Sequence, residues 1–292
     1  MRILVTGASG YIGSALARFL QARGLDVIAT DQSAPAPVIG NIAYPQFARS
    51  LITEEVGAVF HLASLVSGGA EQNFELGTKV NLDATRDLLE ACRLAGHRPK
   101  FIFASSIAVY GGGGIITDET PPAPRLSYGA QKLVCEILID DYTRRGYVDG
   151  RALRLPAVLV RPGAANTAVS GWSSAIIREP LAGRDYVCPV RPDTRLACIS
   201  HGKVAEAFHH ALLVDAEKLG PRRTVLLNGI SVSAQEMLDA AGGAGKVRFE
   251  PDPAVQKVMD GAPKETRSER ASKLGFPSSR SIREIVDEYK RG

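Results

Sequence analysis

The 292-residue sequence holds no apolar run long enough to cross a membrane as a helix. Its opening, Met1-Arg2-Ile3-Leu4-Val5-Thr6-Gly7, has one Arg and a short apolar stretch before glycine, so no secretory signal is expected. Four cysteines, Cys92, Cys135, Cys188 and Cys198, fall at no metal-ligand spacing and are too sparse for a disulfide framework. Reduced, buried thiols in a cytoplasmic protein without a metal are expected. Internal repeats are missing too. Lys and Arg are scattered, with no basic stripe interleaved with aromatics, which argues against nucleic-acid binding. The net charge of +4 is small and compatible with an anionic ligand.

What remains is an ordinary globular balance of 45% hydrophobic and 23% charged residues, enough for a sizeable core. Short apolar runs alternate with helical patterns. Strands are predicted at Arg2 to Thr6, Asp26 to Thr30, Ala58 to Leu62, Phe101 to Ala104 and Arg151 to Leu159. Helices are predicted from Ile12 to Gly24, about Asn81 to Leu94, and Tyr128 to Tyr142. Such alternation implies an α/β fold, a doubly wound parallel sheet with helices on both faces. After Pro162 the pattern breaks, and Gly163 to Pro192 shows no period. The expected division is a dinucleotide-binding domain over 1–163, with 197–230 returning to it. A smaller C-terminal substrate-binding domain takes 164–196 and 231–292.

Gly7-Ala8-Ser9-Gly10-Tyr11-Ile12-Gly13 lies between the first strand and the first helix. The first glycine permits a sharp turn, the second lets backbone approach a pyrophosphate, and the third lets helix pack on strand. The N–H groups and positive end of the helix then meet the phosphate. Asp31, past the second strand, can accept from the adenosine ribose and repels a 2′-phosphate. Gln32 and Ser33 follow it with no Arg, so NAD is expected over NADP.

Tyr128 and Lys132 stand four residues apart, on one face of a helix. A free tyrosine ionises near pH ~10. A neighbouring ammonium is expected to bring that value toward the working range, which suits a catalytic base. Ser105 and Ser106 end the strand at Phe101 to Ala104, where doubly wound sheets bind ligands, so either hydroxyl can hold substrate.

The Gly7 turn, His61-Leu62-Ala63-Ser64, Asn81, Ser106-Ile107-Ala108-Val109-Tyr110-Gly111 and the Tyr128/Lys132 pair occur in that order. With the late Ala271 to Phe276 segment, they resemble the extended short-chain dehydrogenase/reductases, the NAD-dependent epimerase/dehydratase family. The resemblance implies that Ser106 is the active-site serine, with Tyr128 and Lys132. It implies that Leu62, Ala63 and Asn81 line the NAD site and that Pro156 approaches the nicotinamide. It also implies a homodimer joined through the Asn81 and Tyr128 helices. For His61 a place in the strand is favoured over an acid/base role.

Val148 to Pro156, Val160-Arg161-Pro162-Gly163, Asn166 to Ser170 and Ile176 to Leu181 are similar to a narrower group, the D-erythronate dehydrogenases. The run Ala164 to Ser170 departs from that group's pattern. The likeness implies a small anionic sugar acid oxidised at C2. Arg178 is the candidate for its carboxylate, with Asn166 and Ser170 on its hydroxyls. An ion pair with Glu179 is the other reading of Arg178, and packing is favoured for Trp172. Two rival functions stay open: a nucleotide-sugar epimerase or dehydratase that recycles NAD, and a non-catalytic NAD-sensing protein.

Overall fold

The computed structural model describes residues 1–163 and 168–291. The chain divides into two compact units. The first comprises Met1–Ser106, Leu126–Arg154 and Ala205–Val225; the second comprises Ile107–Arg125, Leu155–Val204 and Leu226–Gly292.

The first unit is built on a seven-stranded sheet. Its strands are β1 (Arg2–Thr6), β2 (Val27–Asp31), β3 (Val38–Ile39), β4 (Val56–His61), β5 (Lys100–Ser106), β6 (Asp149–Leu155) and β7 (Thr224–Leu226). They lie in the order β7-β6-β5-β4-β1-β2-β3, and β1–β2, β1–β4, β2–β3 and β4–β5 pair in parallel. This is the Rossmann order extended by one strand. Ile3, Leu4 and Val5 of β1, with Phe60 of β4 and Phe101 and Phe103 of β5, are fully buried. The helix Tyr11–Gln21 turns Leu16 and Leu20 inward, and the chain leaves it through Gly24 at φ +74°.

The predicted helix from Asn81 is in two parts, a π-helical segment Thr78–Asp83 and an α-helix Ala84–Ala95. The latter ends at Gly96, whose left-handed conformation suits glycine. The helix Ser127–Arg144 contains the predicted Tyr128 to Tyr142, one residue longer at its start and two at its end. The single predicted strand Arg151 to Leu159 is instead two, β6 and Ala157–Leu159, in different sheets. Pro156 stands between them and has no N–H to continue a ladder.

In the second unit Arg195–Ser200 lies between Ile230–Ser233, antiparallel, and Ala157–Leu159, parallel. Two-stranded pairs join Tyr186–Cys188 to Val247–Phe249 and Gly114–Thr117 to Pro263–Arg267. This unit thus takes in 107–125, 155–163, 197–204 and 226–230, which the expected division gave to the first. The helix Trp172–Leu181 lies where no period was visible. Eight of its ten residues, Trp172 to Arg178 and Pro180, are buried, so it has no polar face to alternate with an apolar one.

Candidate active site

β1 lies between β2 and β4, so the sheet reverses direction at the β1–β4 boundary. The carboxyl ends of these strands open the crevice where doubly wound sheets take ligands. Gly7 follows β1 with φ +72°, and a Cβ on it would stand 2.7 Å from the Ala63 nitrogen. A Cβ on Gly13 would collide with the Gly7 carbonyl oxygen. The turn therefore lies directly on the backbone of Leu62 and Ala63. The helix it leads into opens at Gly10 without a side-chain cap. A backbone cradle that no Cβ fills, facing a helix N-terminus, fits a pyrophosphate.

Asp31 ends β2 beside this cradle. Its Oδ2 accepts from Ser9 N at 3.0 Å, and its Oδ1 accepts from Ser33 N and Oγ, each at 3.2 Å. Ser9 Oγ donates to Ser33 O at 2.7 Å and accepts from Ala36 N. Ser9 thus ties the glycine turn to the Asp31 loop, while Oδ2 keeps a lone pair for a ribose hydroxyl.

His61 is fully buried at the end of β4. Leu62 N and Ala63 N both donate to Thr6 Oγ1, so the single Thr6 proton goes to His61 Nδ1, 2.8 Å away. Thr85 gives its proton to Asn81 O and so accepts from His61 Nε2–H at 2.9 Å. The imidazole is neutral, its pKa pushed down to about 3 by burial and by the Lys132 charge. His61 is a structural strand residue, as favoured from the sequence.

Asn81 is only 1% exposed, and both ends of its amide are filled. Oδ1 accepts from Leu65 N at 2.8 Å and Ser64 Oγ at 2.9 Å; Nδ2 donates to Leu65 O and to Gln131 Oε1. It fastens the loop after β4 to the helix that carries Tyr128.

Ser105 and Ser106 end β5 and point to different partners. Ser105 is buried and donates to Glu136, which also holds Arg154 at 2.6 Å. Ser106 is the serine hydrogen-bonded to Tyr128. Burial pushes the Tyr128 phenol up to about 12, against the lowering effect of hydrogen bonds from Ser106 and Ser64. The Lys132 ammonium lies 5.5 Å from the Tyr128 ring centroid and 4.5 Å from that of Phe103. Burial lowers its own pKa to about 8, offset in part by Cys135 and Glu136. The expected proximity of phenol and ammonium is present, but burial outweighs the lowering hydrogen bonds and the phenol is not brought down.

In the second unit, Ser170 O accepts from Ser173 Oγ at 2.7 Å within the turn Val169–Gly171. Asn166 lies outside the described residues. Arg178 donates from Nε to Glu179 at 2.8 Å and from Nη1 to Arg161 O at 2.7 Å. Of the two readings of Arg178, this is the ion pair with Glu179. Trp172 belongs to the core of this unit. Pro156 is buried against Gly229, where a Cβ would not fit. All four cysteines are buried thiols, and among the described residues no cluster of His, Cys, Asp or Glu could hold a metal. No helix of the described residues is long and apolar enough to cross a membrane.

Sequence reasoning gave no role to Thr6, Ser64, Thr85, Gln131 or Glu136. Thr6 ends β1 and Ser64 follows β4, while Thr85, Gln131 and Glu136 are helical; their polar type is the only signal the sequence carries for them.

The chain is 43% identical to the D-erythronate dehydrogenase of Cupriavidus necator, over 99% of this chain and 98% of that protein. It is 37% identical to the D-erythronate dehydrogenase of Haemophilus influenzae, over 99% and 98%. Among solved structures it resembles a nucleoside-diphosphate-sugar epimerase from Agrobacterium tumefaciens at 36% identity and TM-score 0.92, covering 100% of this chain and 94% of that one. Residues 3–218 match the model of the NAD dependent epimerase/dehydratase family, and the chain belongs to that family.

Proposed function

We propose that this NAD-dependent oxidoreductase oxidises the C2 hydroxyl of a small, D-erythronate-like sugar acid to the 2-oxo acid, with Tyr128 as base. The observation that carries this reading is the grouping of Tyr128, Ser106 and Lys132 at the carboxyl end of β5. The two full-length D-erythronate dehydrogenase relatives support the substrate class.

Ser106 holds the substrate hydroxyl and aims it at Tyr128. Ionised Tyr128 then takes the hydroxyl proton while Ser106 remains hydrogen-bonded to the oxygen left behind. Because burial holds the Tyr128 proton tightly, ionisation needs positive charge nearby, and Lys132 supplies part of it. NAD, when bound, supplies the acceptor for the C2 hydride and a cationic ring. Gly7, Ser9, Gly10, Tyr11, Ile12 and Gly13 are assigned to its pyrophosphate and Asp31 to its adenosine ribose. Leu62, Ala63 and Asn81 are assigned to the wall of its site, with Lys132, Tyr128 and Pro156 toward the nicotinamide. The second unit, with Asn166 and Ser170, is assigned to the sugar acid.

The test is a panel of four- to six-carbon sugar acids, D-erythronate included, followed by NADH absorbance. NADH formed in proportion to acid consumed supports the proposal; no turnover with any acid overturns the substrate. The likeness to a nucleoside-diphosphate-sugar epimerase favours one second reading, an epimerase. That enzyme would convert a nucleotide sugar without accumulating NADH.

A homodimer through the helices Ala84–Ala95 and Ser127–Arg144 belongs to the same proposal. Leu94, Val134 and Ile137 are exposed on them, at 61%, 41% and 61%. A monomer by sizing would refute it.

A further inference from the structure

Gln131 has no part in the mechanism above, yet it stands among residues that do. Tyr128, Gln131, Lys132 and Cys135 fall at i, i+3, i+4 and i+7 of the helix Ser127–Arg144 and so share one of its faces. Gln131 is buried, and its Oε1 accepts from Asn81 Nδ2 at 2.7 Å. One turn further on, Cys135 Sγ donates to Asn81 O at 3.2 Å. Asn81 is thus joined, by side chain and by main chain, to the face that carries Tyr128 and Lys132.

The same Asn81 amide holds the loop after β4. Its Oδ1 accepts from Leu65 N at 2.8 Å, and its Nδ2 donates to Leu65 O at 3.0 Å. These backbone partners fix which way the amide faces, because turned over it would set donor against donor and acceptor against acceptor. Gln131 must therefore present its oxygen to Asn81, and its own Nε2 faces away. That nitrogen is buried without a hydrogen-bond partner among the described residues. It lies against Gly77, where a Cβ would stand 3.1 Å from it. An unpaired buried donor is costly. Only the carbonyl end of Gln131 repays that cost, through Asn81.

We propose that Gln131 is a positioning residue for the oxidation, which through Asn81 sets the place of Tyr128 and Lys132 relative to the loop Leu62 to Leu65. The helix carries the proposed base, and the loop is the assigned wall of the NAD site, so the inference rests on that reading of the site. Gln131 to Asn81, and Asn81 to Leu65, make a two-step tie between them. Slack in it moves the base against the hydride acceptor, which acts on kcat before it acts on substrate binding. Asn81 lies in the π-helical segment Thr78–Asp83, a wider turn that often marks functional positions.

The experiment compares Gln131→Met and Gln131→Glu in the full chain. Met is an unbranched helix former that packs in the same space with no strong donor or acceptor. It removes the unpaired Nε2 and leaves one Asn81 Nδ2 hydrogen unpaired in exchange, so the urea midpoint is expected to stay close to that of wild type. The kcat with the sugar acid is expected to fall about five- to tenfold, the scale of one hydrogen bond, while KM changes less than about twofold. Gln131→Glu keeps an oxygen for Asn81 and is expected to recover most of kcat at the plateau of its pH profile, although a buried carboxylate lowers its midpoint. Stability and activity then rank the two variants in opposite order, which a role in folding alone does not produce. A Gln131→Met protein that fails to fold, or whose midpoint falls in step with kcat, overturns the proposal. So does one with wild-type kcat.

A second readout needs no sugar acid and decides also where Gln131→Glu does not fold. By NADH fluorescence titration, Gln131→Met and Asn81→Ala each weaken binding, and the double variant binds no more weakly than Asn81→Ala, because Gln131 acts through Asn81. Losses that multiply as independent effects overturn the proposal. If wild type turns over no acid, the substrate reading fails by itself, and the NADH cycle still decides the role of Gln131.

Discussion

Glu136 and Arg154 form a buried charge pair at 2.6 Å, and Ser105 donates its hydroxyl to the same carboxylate. The pair joins the helix Ser127–Arg144 to β6 and grips the end of β5 through Ser105. Ser106, proposed above to hold the substrate hydroxyl, is the next residue, so its alignment depends on charges it does not touch.

Glu136→Gln leaves the Arg154 guanidinium buried beside a neutral partner. A loss of about 3 kcal/mol is expected, at the lower end of what breaking a buried pair costs. The urea midpoint measures it. A change under about 0.5 kcal/mol, the scale of an exposed pair, would show the pair contributes little.

Asp140 gives a second stability test. Burial, and then the nearby Glu136, push its carboxyl up to about 6, and Oδ1 is buried without a partner. A carboxyl with a raised folded pKa binds more protons in the native than in the unfolded chain between about pH 4 and 6. Stability contributed by its protonated form is therefore lost as pH rises through that window. Asp140→Asn should stabilise the protein at pH 7 by about 1 kcal/mol, discounted for its partial exposure. It should also flatten the pH dependence between those values. Equal unfolding curves at pH 4 and pH 6.5 for wild type would count against this.

Cofactor choice is expected to depend on Asp31. Replacing it by Ser removes the carboxylate that repels a 2′-phosphate. The ratio of NAD to NADP affinity should fall at least about tenfold, measured by fluorescence titration with the reduced cofactors. An unchanged ratio would place the discrimination elsewhere.

Tyr128→Phe should lower kcat by about 10²–10⁴-fold while NAD affinity changes little. Lys132 adds an alkaline limb. Its ammonium, lowered by burial to about 8, loses charge as pH rises through that value, and support for the phenolate goes with it. Lys132→Arg, which stays charged, should remove the limb even where the absolute rate is low. Rates that stay level from pH 7 to 10 in wild type would contradict this.

The sheet and the cofactor turn were legible because their signals are local. Gly7 has a positive φ and Gly13 packs on the Gly7 carbonyl, reasons a few residues wide, and β1, β4 and β5 are apolar runs. Partners of buried polar groups were not legible. Periodicity tells that Thr6, Thr85 and Gln131 face inward, not which atoms they meet. The spacing of Tyr128 and Lys132 brought the groups together but did not reveal that burial raises the phenol. Arg178 pairs with its immediate neighbour Glu179, a contact that helix spacing rules do not anticipate. The helix Trp172–Leu181 escaped notice because it is buried nearly all round.

The chain of hydrogen bonds from Leu62 and Ala63 through Thr6, His61 and Thr85 to Asn81 runs in one sense from end to end. Its ends fix that sense, because the Leu62 and Ala63 N–H groups can only donate and the Asn81 carbonyl can only accept, so each hydroxyl between them has one place for its proton. The ends of β1 and β4 and the start of the helix Ala84–Ala95 therefore behave as a truss, in which slack at one joint is felt at all the others. A residue as far from the cofactor turn as Thr85 thus helps decide how still Gly7 is held.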